Sequence, residues 1–270
     1  MPIQHLTSRF GFHQLPFTRE IRVEDLLRLP DFDEALRGLE RIVDQRMSAV
    51  IVAPAGTGKT VLLRALAARL PEARYRLHYV KVTDLGKREM CREIATAAGA
   101  APAGSYPKLV RSLQDQFRGS LDTDGLRPVV LVDEAHELRP DVLAMLRLLT
   151  NFDMDSQLVL SLILCGQPAL KTLLRRDNLE DVARRLAHVV TLRPLTREQS
   201  TRYLEHRCRV AGAPSSPFDP SAHDALFEIA RGNLRACDRL ALKSLEVAHD
   251  QDVALVDSNH VIQARQLLWP

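Results

Sequence analysis

Lysine is scarce in this 270-residue chain: six of its 37 basic residues are Lys (Lys59, Lys81, Lys87, Lys108, Lys171, Lys243) and the rest are Arg. Charge of one sign is also lacking. Thirty-seven cations face 34 carboxylates for a net +3, so bulk basicity gives no case for nucleic acid. The four cysteines, Cys91, Cys165, Cys208 and Cys237, are scattered without a CxxC pair or a Cys/His cluster at zinc spacing. That excludes a disulfide framework and a zinc finger, and buried free thiols in a reducing compartment are the simple account. No long hydrophobic run exists. Leu158–Cys165 is interrupted by Ser161 and falls far short of the ~20 residues that span a bilayer. The N-terminal stretch MPIQHLTSRFGFHQLPF lacks a charged segment followed by an apolar one, so it does not read as a signal peptide. A cytoplasmic location is the expectation.

What is present is an alternation of short apolar runs and helical patterns. Ala49–Ala53, Leu77–Val82, Val129–Val132, Leu158–Leu164 and His188–Leu192 read as strands without polar alternation, as for strands covered on both faces. Lys59–Leu70, Lys87–Ala98, Pro107–Arg118, Pro140–Asn151 and Ala169–Arg185 read as helices between them, giving an α/β fold with a parallel sheet. After Pro194 the strands stop. Thr196–Ala211, Ser221–Arg231, Asn233–His249 and Asp257–Leu268 are helical by period, and Thr196 with Gln199 fits a capping box. The expected division is a lead-in over 1–46, with a helix at Asp31–Arg46 after an irregular segment, an α/β core over 47–194 and a helical subdomain over 195–270.

Ala53-Pro54-Ala55-Gly56-Thr57-Gly58-Lys59-Thr60 follows the first strand and opens a helix that continues with Val61. This is a phosphate-binding P-loop with Ala at the first Gly position. Gly56 and Gly58 let backbone N–H groups turn inward, the helix N-terminus adds its positive end, Lys59 reaches the β/γ-phosphates and Thr60 ligates Mg²⁺. Val129–Val132 then runs into Asp133-Glu134. Two adjacent acids at the end of a buried strand are costly unless a cation offsets them. Asp133 is placed to hold Mg²⁺ and Glu134 to deprotonate the attacking water. Gln167 ends the fourth strand, which in a P-loop sheet lies between the first and third. Its amide can hold the lytic water or the γ-phosphate; the plain alternative is a helix-capping residue. Arg184-Arg185 suits a finger reaching a neighbouring subunit's nucleotide, and Arg235 a sensor contacting ATP. In so Arg-rich a chain, solvated surface is the competing account of each.

Taken together, the P-loop, the Asp-Glu pair, Gln167, Arg184-Arg185-Leu186 and Gly232-Asn-Leu-Arg235 resemble an AAA+ ATPase, over roughly residues 30–265. The resemblance implies a five-stranded parallel sheet of order 5-1-4-3-2 with a small helical lid, ATP and Mg²⁺ as cofactors, and ATP-dependent assembly into a ring or filament. More narrowly, Phe10-Gly-Phe12, Leu15-Pro-Phe17, Leu164-Cys-Gly-Gln-Pro168 and Tyr203–Arg207 resemble the ExeA-like group. That group includes general-secretion ATPases and the TnsC, TniB and MuB type of transposition ATPase. Its transposition members imply ATP-dependent, largely sequence-nonspecific binding of double-stranded DNA and its delivery to a transposase, with a target-selector protein as a further partner. Leu234 departs from the Pro or small residue of relatives. The absence of a membrane helix or wall-binding region before Pro270 favours transposition over secretion. In that group DNA contacts come from loops that here hold Thr83–Arg88 and Gly104–Lys108, making Lys87, Arg88, Ser105 and Lys108 candidate DNA-binding residues. An ordinary solvated loop, an ATPase energising envelope secretion and a regulatory switch without DNA are the alternatives. Phe10–Phe17 and Leu267–Trp269 are candidate docking elements, or packing.

Overall fold

A computed structural model describes residues 3–82, 84–186 and 188–268. Thr83 and Trp269, named above, lie outside the described residues. Five strands form one parallel sheet: β1 (Ala49–Val52), β2 (Tyr75–Lys81), β3 (Arg127–Asp133), β4 (Ser161–Gly166) and β5 (His188–Thr191), in spatial order β2-β3-β4-β1-β5. This is the expected order read from the other edge. Twelve α-helices are described: α1 (Ile3–Phe10), α2 (Pro30–Asp44), α3 (Lys59–Arg69), α4 (Lys87–Ala97), α5 (Tyr106–Asp122), α6 (Pro140–Leu149), α7 (Ala169–Leu174), α8 (Glu180–Arg185), α9 (Arg197–Val210), α10 (Pro220–Ala230), α11 (Leu234–Asp250) and α12 (Ser258–Leu267). Among the described residues, no helix is long and apolar enough to cross a membrane.

The chain forms two compact units, Pro30–Leu192 and Met1–Leu29 with Arg193–Pro270. The lead-in is thus divided: α2 belongs to the α/β unit and the first 29 residues to the helical one.

In the α/β unit, Val50, Val52, Val130, Val132, Leu162 and Leu164 face a core completed by Met90, Ile94, Leu109, Leu113, Phe117, Leu143 and Leu146. The alternate strand residues Ile51, Val129, Leu131, Ile163 and Cys165 are equally buried, as a central parallel strand covered on both faces requires. Coverage fails at the sheet's ends, where β5 is largely exposed and β2 alternates. The end of α2 is pinned by Asp44, which accepts from the Tyr75 hydroxyl at 3.0 Å, Arg74 at 2.8 Å and Arg127 at 3.1 Å. These donors, the phenol first, hold its carboxyl below the usual range. The helix expected over 169–185 is broken into α7, a 3₁₀ turn at Asp177–Leu179 and α8.

In the helical unit every long helix has a side-chain cap. Thr196 and Gln199 form the expected capping box, Asp219 accepts from Ala222 N–H, Asn233 from Ala236 N–H, and Asp257 from Asn259 and His260 N–H. The N-terminal segment, expected to be irregular, begins with α1. Its Leu6 and Phe10 join Phe12, Phe17, Leu204, Phe218, Leu226, Leu240 and Leu245 in one core. Arg207, 6% exposed, holds this segment down. It donates to the Thr18 carbonyl at 2.7 Å and to Tyr203 Oη at 3.0 Å, and lies over the Phe17 ring. His206 meets the Asp25 carbonyl at 2.7 Å. Phe10–Phe17 is therefore packing within its own unit. All four cysteines are buried free thiols.

Gly232, φ +71°, places a would-be Cβ 2.0 Å from the Leu195 carbonyl oxygen, whereas Gly38 in α2 has open space. Gly232→Ala should cost about 2–3 kcal/mol or more, and Gly38→Ala should be neutral or stabilising by up to about 1 kcal/mol, as read by denaturant unfolding. A second prediction concerns Asp238, which accepts from Tyr203 Oη at 2.8 Å beside Arg207. Burial pushes its carboxyl up to about 6, against the opposing pull of Arg207 and Tyr203. A folded-state pKa above the unfolded one contributes stability that is full below the ordinary 3.8 and lost as pH rises through about 6. Asp238→Asn should therefore flatten the change of the unfolding midpoint between those pH values.

Candidate nucleotide site

The strand, loop and helix of residues 49–69 build the centre of the site. Ala53 is fully buried, and its N–H donates to the Gly166 carbonyl at 3.1 Å, extending the β1–β4 ladder by one residue. Its φ is not positive, so the missing Gly costs nothing in backbone strain. Gly56 and Gly58 do adopt φ +78° and +96°, the region that glycine enters without a Cβ clash. The Thr57 hydroxyl donates to the Pro54 carbonyl at 2.8 Å and closes the loop. No side chain caps α3, so its first-turn N–H groups remain for an anion. Lys59 is 6% exposed, and its ammonium donates to the carbonyls of Ala53 and Pro54, both at 3.2 Å.

Asp133, 2% exposed at the end of β3, is the second centre. Its Oδ2 accepts from Thr60 Oγ1 at 2.9 Å and Tyr79 Oη at 3.2 Å, and its Oδ1 from the Glu134 N–H at 2.9 Å. Burial and then Asp133 push the Tyr79 phenol up to about 12, and the Cys165 thiol beneath is pushed well up, again by burial first. Glu134 has φ +57° and ψ +33°, a left-handed conformation for a residue with a side chain. Such an outlier costs of order 1 kcal/mol or more and collects at functional positions. It turns the chain so that the Glu134 carboxylate, 31% exposed, faces outward while His136 turns in.

The donor set fits a magnesium nucleotide. A hydroxyl and a carboxylate, Thr60 and Asp133, are hard oxygen ligands already brought together, and Lys59 with the turned loop suits phosphate oxygens. Bound there, Mg²⁺ would neutralise charge developing on the transferred phosphoryl group.

Gln167 does not meet Lys59 among its described contacts. Its amide nitrogen is 2.7 Å from His136 Nε2. Arg184 is exposed and paired with Glu180 at 2.6 Å, while Arg185 is half-buried on the last turn of α8. Arg235 stands exposed on the first turn of α11, in the helical unit. Lys87 is 3.6 Å from Asp141. Arg88 donates to the Gly104 carbonyl at 3.0 Å, the stem of Lys108 lies against Gly104, and Ser105 precedes α5 exposed. Arg88 thus joins the start of α4 to the loop before α5, while Lys87 faces Asp141 on α6. A groove of about 570 Å³ along α5, between Lys108 and Asp124, has no P-loop residue in its lining. Tyr79 and His136 were not marked by any motif, since their place at the site depends on strand neighbours.

Residues 41–174 match the family described as an AAA domain. The chain is 31% identical over 240 residues to General secretion pathway protein A of Aeromonas hydrophila, covering 86% of this chain and 44% of that protein. It therefore spans less than half the length of that relative. Its fold is similar to Cdc6p of Pyrobaculum aerophilum, with TM-score 0.75 and 19% identity over 93% of this chain and 70% of that one. It is also similar to the Aeropyrum pernix Orc1 protein solved in complex with DNA, with TM-score 0.68, 22% identity and 95% and 69% coverage. The RuvB Holliday junction branch migration motor of Thermotoga maritima gives TM-score 0.62 and 18% identity over 93% and 73%.

Lys59→Ala should weaken ATP binding by about 30-fold or more, the scale of losing one partner of a buried charge contact, in a fluorescent-nucleotide titration. Glu134→Gln should keep ATP affinity while slowing hydrolysis by about 100-fold or more; hydrolysis at the parental rate would remove Glu134 as general base.

Proposed function

We propose that residues 41–174, which match the AAA domain family, hydrolyse ATP, and that the chain is an ATP-switched oligomer. In this reading it binds duplex DNA with little sequence preference and delivers it to a transposase. The observation that carries the switch is the self-satisfied state of the phosphate site. Lys59 is held by loop carbonyls and Thr60 by Asp133, so phosphate and Mg²⁺ must exchange these contacts for their own. Gly56, Gly58, the α3 N-terminus and Lys59 bind the phosphates, with Pro54, Ala55, Thr57 and Val61 framing them. Thr60 and Asp133 hold Mg²⁺, and Glu134 takes the proton of the attacking water while Gln167 orients it. Arg185 and Arg235 complete the site in the assembled form.

Lys87, Arg88, Ser105 and Lys108 support the DNA reading. The Arg88–Gly104 contact draws two loops into one patch, and stacking subunits would repeat that patch along a duplex. Phosphate contacts need little more than such repetition, because many weak contacts add. That Orc1 was solved with DNA and that RuvB is a branch migration motor give the fold's precedent. The resemblance of Phe10–Phe17 and Tyr203–Arg207 to the ExeA-like group, which includes transposition ATPases, supports a transposase partner, and in this reading the chain works in the cytoplasm. A second reading, an ATPase energising envelope secretion, is favoured by the similarity to General secretion pathway protein A.

DNA binding measured by fluorescence anisotropy should require ATP or a slowly hydrolysed analogue, fall steeply as salt rises from 50 to about 200 mM, and weaken in Lys87→Ala/Lys108→Ala with nucleotide affinity unchanged. No DNA binding at low salt with the analogue, together with co-purification of an envelope protein, would favour the secretion reading.

A further inference from the structure

His136 sits between the ends of β3 and β4, with its side chain 8% exposed. The left-handed Glu134 sends the chain into a 3₁₀ turn, Ala135–Glu137, that brings residue 136 beside β4. The approach is close: a Cβ on Gly166 would stand 3.0 Å from the His136 backbone nitrogen. The imidazole then meets both site residues at once. Nε2 is 2.7 Å from the Gln167 amide nitrogen, and Nδ1 is 3.5 Å from Glu134 Oε2. An amide nitrogen only donates, so Nε2 accepts and the ring proton resides on Nδ1, on the side of Glu134. Nδ1 is buried and makes no hydrogen bond, and the Glu134 carboxylate stands 3.5 Å from it. Glu137 Oε1 also lies 3.2 Å from Nε2, but that carboxylate is 60% exposed and free to turn to water.

Resting on the reading of this site as one that hydrolyses ATP, we propose that His136 is a positioning residue that couples Gln167 to Glu134. The Gln167 amide fixes the ring and its tautomer, and the buried, unpartnered Nδ1–H is placed to engage and aim the Glu134 carboxylate 3.5 Å away. A γ-phosphate that engages Gln167 therefore acts on the general base through one imidazole. Outer partners that orient a reacting group in this way are commonly worth 10- to 100-fold.

The test is steady-state ATP hydrolysis, ATP affinity and thermal melting for His136→Ala, His136→Gln, Gln167→Ala, His136→Ala/Gln167→Ala and Glu134→Gln. The expected result is a kcat lowered about 10- to 100-fold in His136→Ala, with ATP affinity within about threefold and melting unchanged. His136→Gln, whose amide can accept from Gln167 and donate to Glu134, should recover at least about a third of the parental kcat. The double variant should be no slower than the slower single variant, because the two residues act as one unit. A parental kcat in His136→Ala overturns the proposal. So do multiplicative losses in the double variant, or a loss that follows melting temperature and is not rescued by Gln. If His136→Ala does not fold, the comparison passes to His136→Gln alone and combined with Gln167→Ala. Parental hydrolysis in Glu134→Gln would instead overturn the assignment of the site, whatever His136 does.

Discussion

A carboxylate almost wholly removed from water, at the end of a buried strand, constrains everything around it. Taking an ion of that kind out of solvent costs several kcal/mol in practice unless its lone pairs are filled. Asp133 fills them with the Thr60 hydroxyl, the Tyr79 hydroxyl and the N–H of Glu134. Each of those donors comes from a different element: α3, β2 and the turn after β3. The sheet order explains how. β3 stands between β2 and β4, and β1, which launches the P-loop, stands beyond β4. The same carboxylate therefore locks the first turn of α3 to the sheet and leaves one compensation open to exchange, the Thr60 contact. A divalent cation entering between Thr60 and Asp133 would replace a hydroxyl donor with a stronger positive charge, so the cost of burying Asp133 becomes affinity for the metal nucleotide.

The helical unit has its own centre. Arg207 is buried by an aromatic ring, a phenol, a carbonyl and a carboxylate, and its partners lie on α9, α11 and the N-terminal segment. This gives a physical reason for two sequence features that resemble one family together. Phe17 and the Thr18 carbonyl are what Arg207 binds, and the Tyr203 hydroxyl steadies Arg207, so the two stretches are halves of one clamp. Cutting the chain near residue 46 would misplace this relation, because the first 29 residues fold with the last 78.

The P-loop was legible because it needs a strand, two glycines and a helix at fixed spacing, and nothing distant. The central strands were legible from unbroken apolar runs, and the capping box at Thr196 from two residues three apart. Other features rest on contacts that no spacing encodes. Helix α1 has eight residues, too few to stand alone, and depends on burying Leu6 and Phe10 against the helical core. The break between α7 and α8 falls at Arg175–Asn178, a polar stretch whose helical period looked continuous. His136 and Tyr79 reach the site because β3 lies between two particular strands, which a linear reading of either residue cannot reveal. The exposure of β5 likewise follows from its place at the sheet edge.

The proposed link between ATP binding, DNA binding and partner regulation is that filling the phosphate site converts separate chains into a repeated array. A net charge of +3 is weak on one chain, and a cluster at the start of α4 and α5 gains force only by repetition. Electron cryomicroscopy of the protein with a slowly hydrolysed ATP analogue, with and without duplex DNA, tests this most directly. A helical or ring assembly on the duplex is the expected result. In it, Lys59 has left the Ala53 and Pro54 carbonyls for phosphate, and the Lys87–Lys108 patch faces the DNA backbone. Single chains that carry nucleotide yet neither assemble nor hold DNA would contradict it.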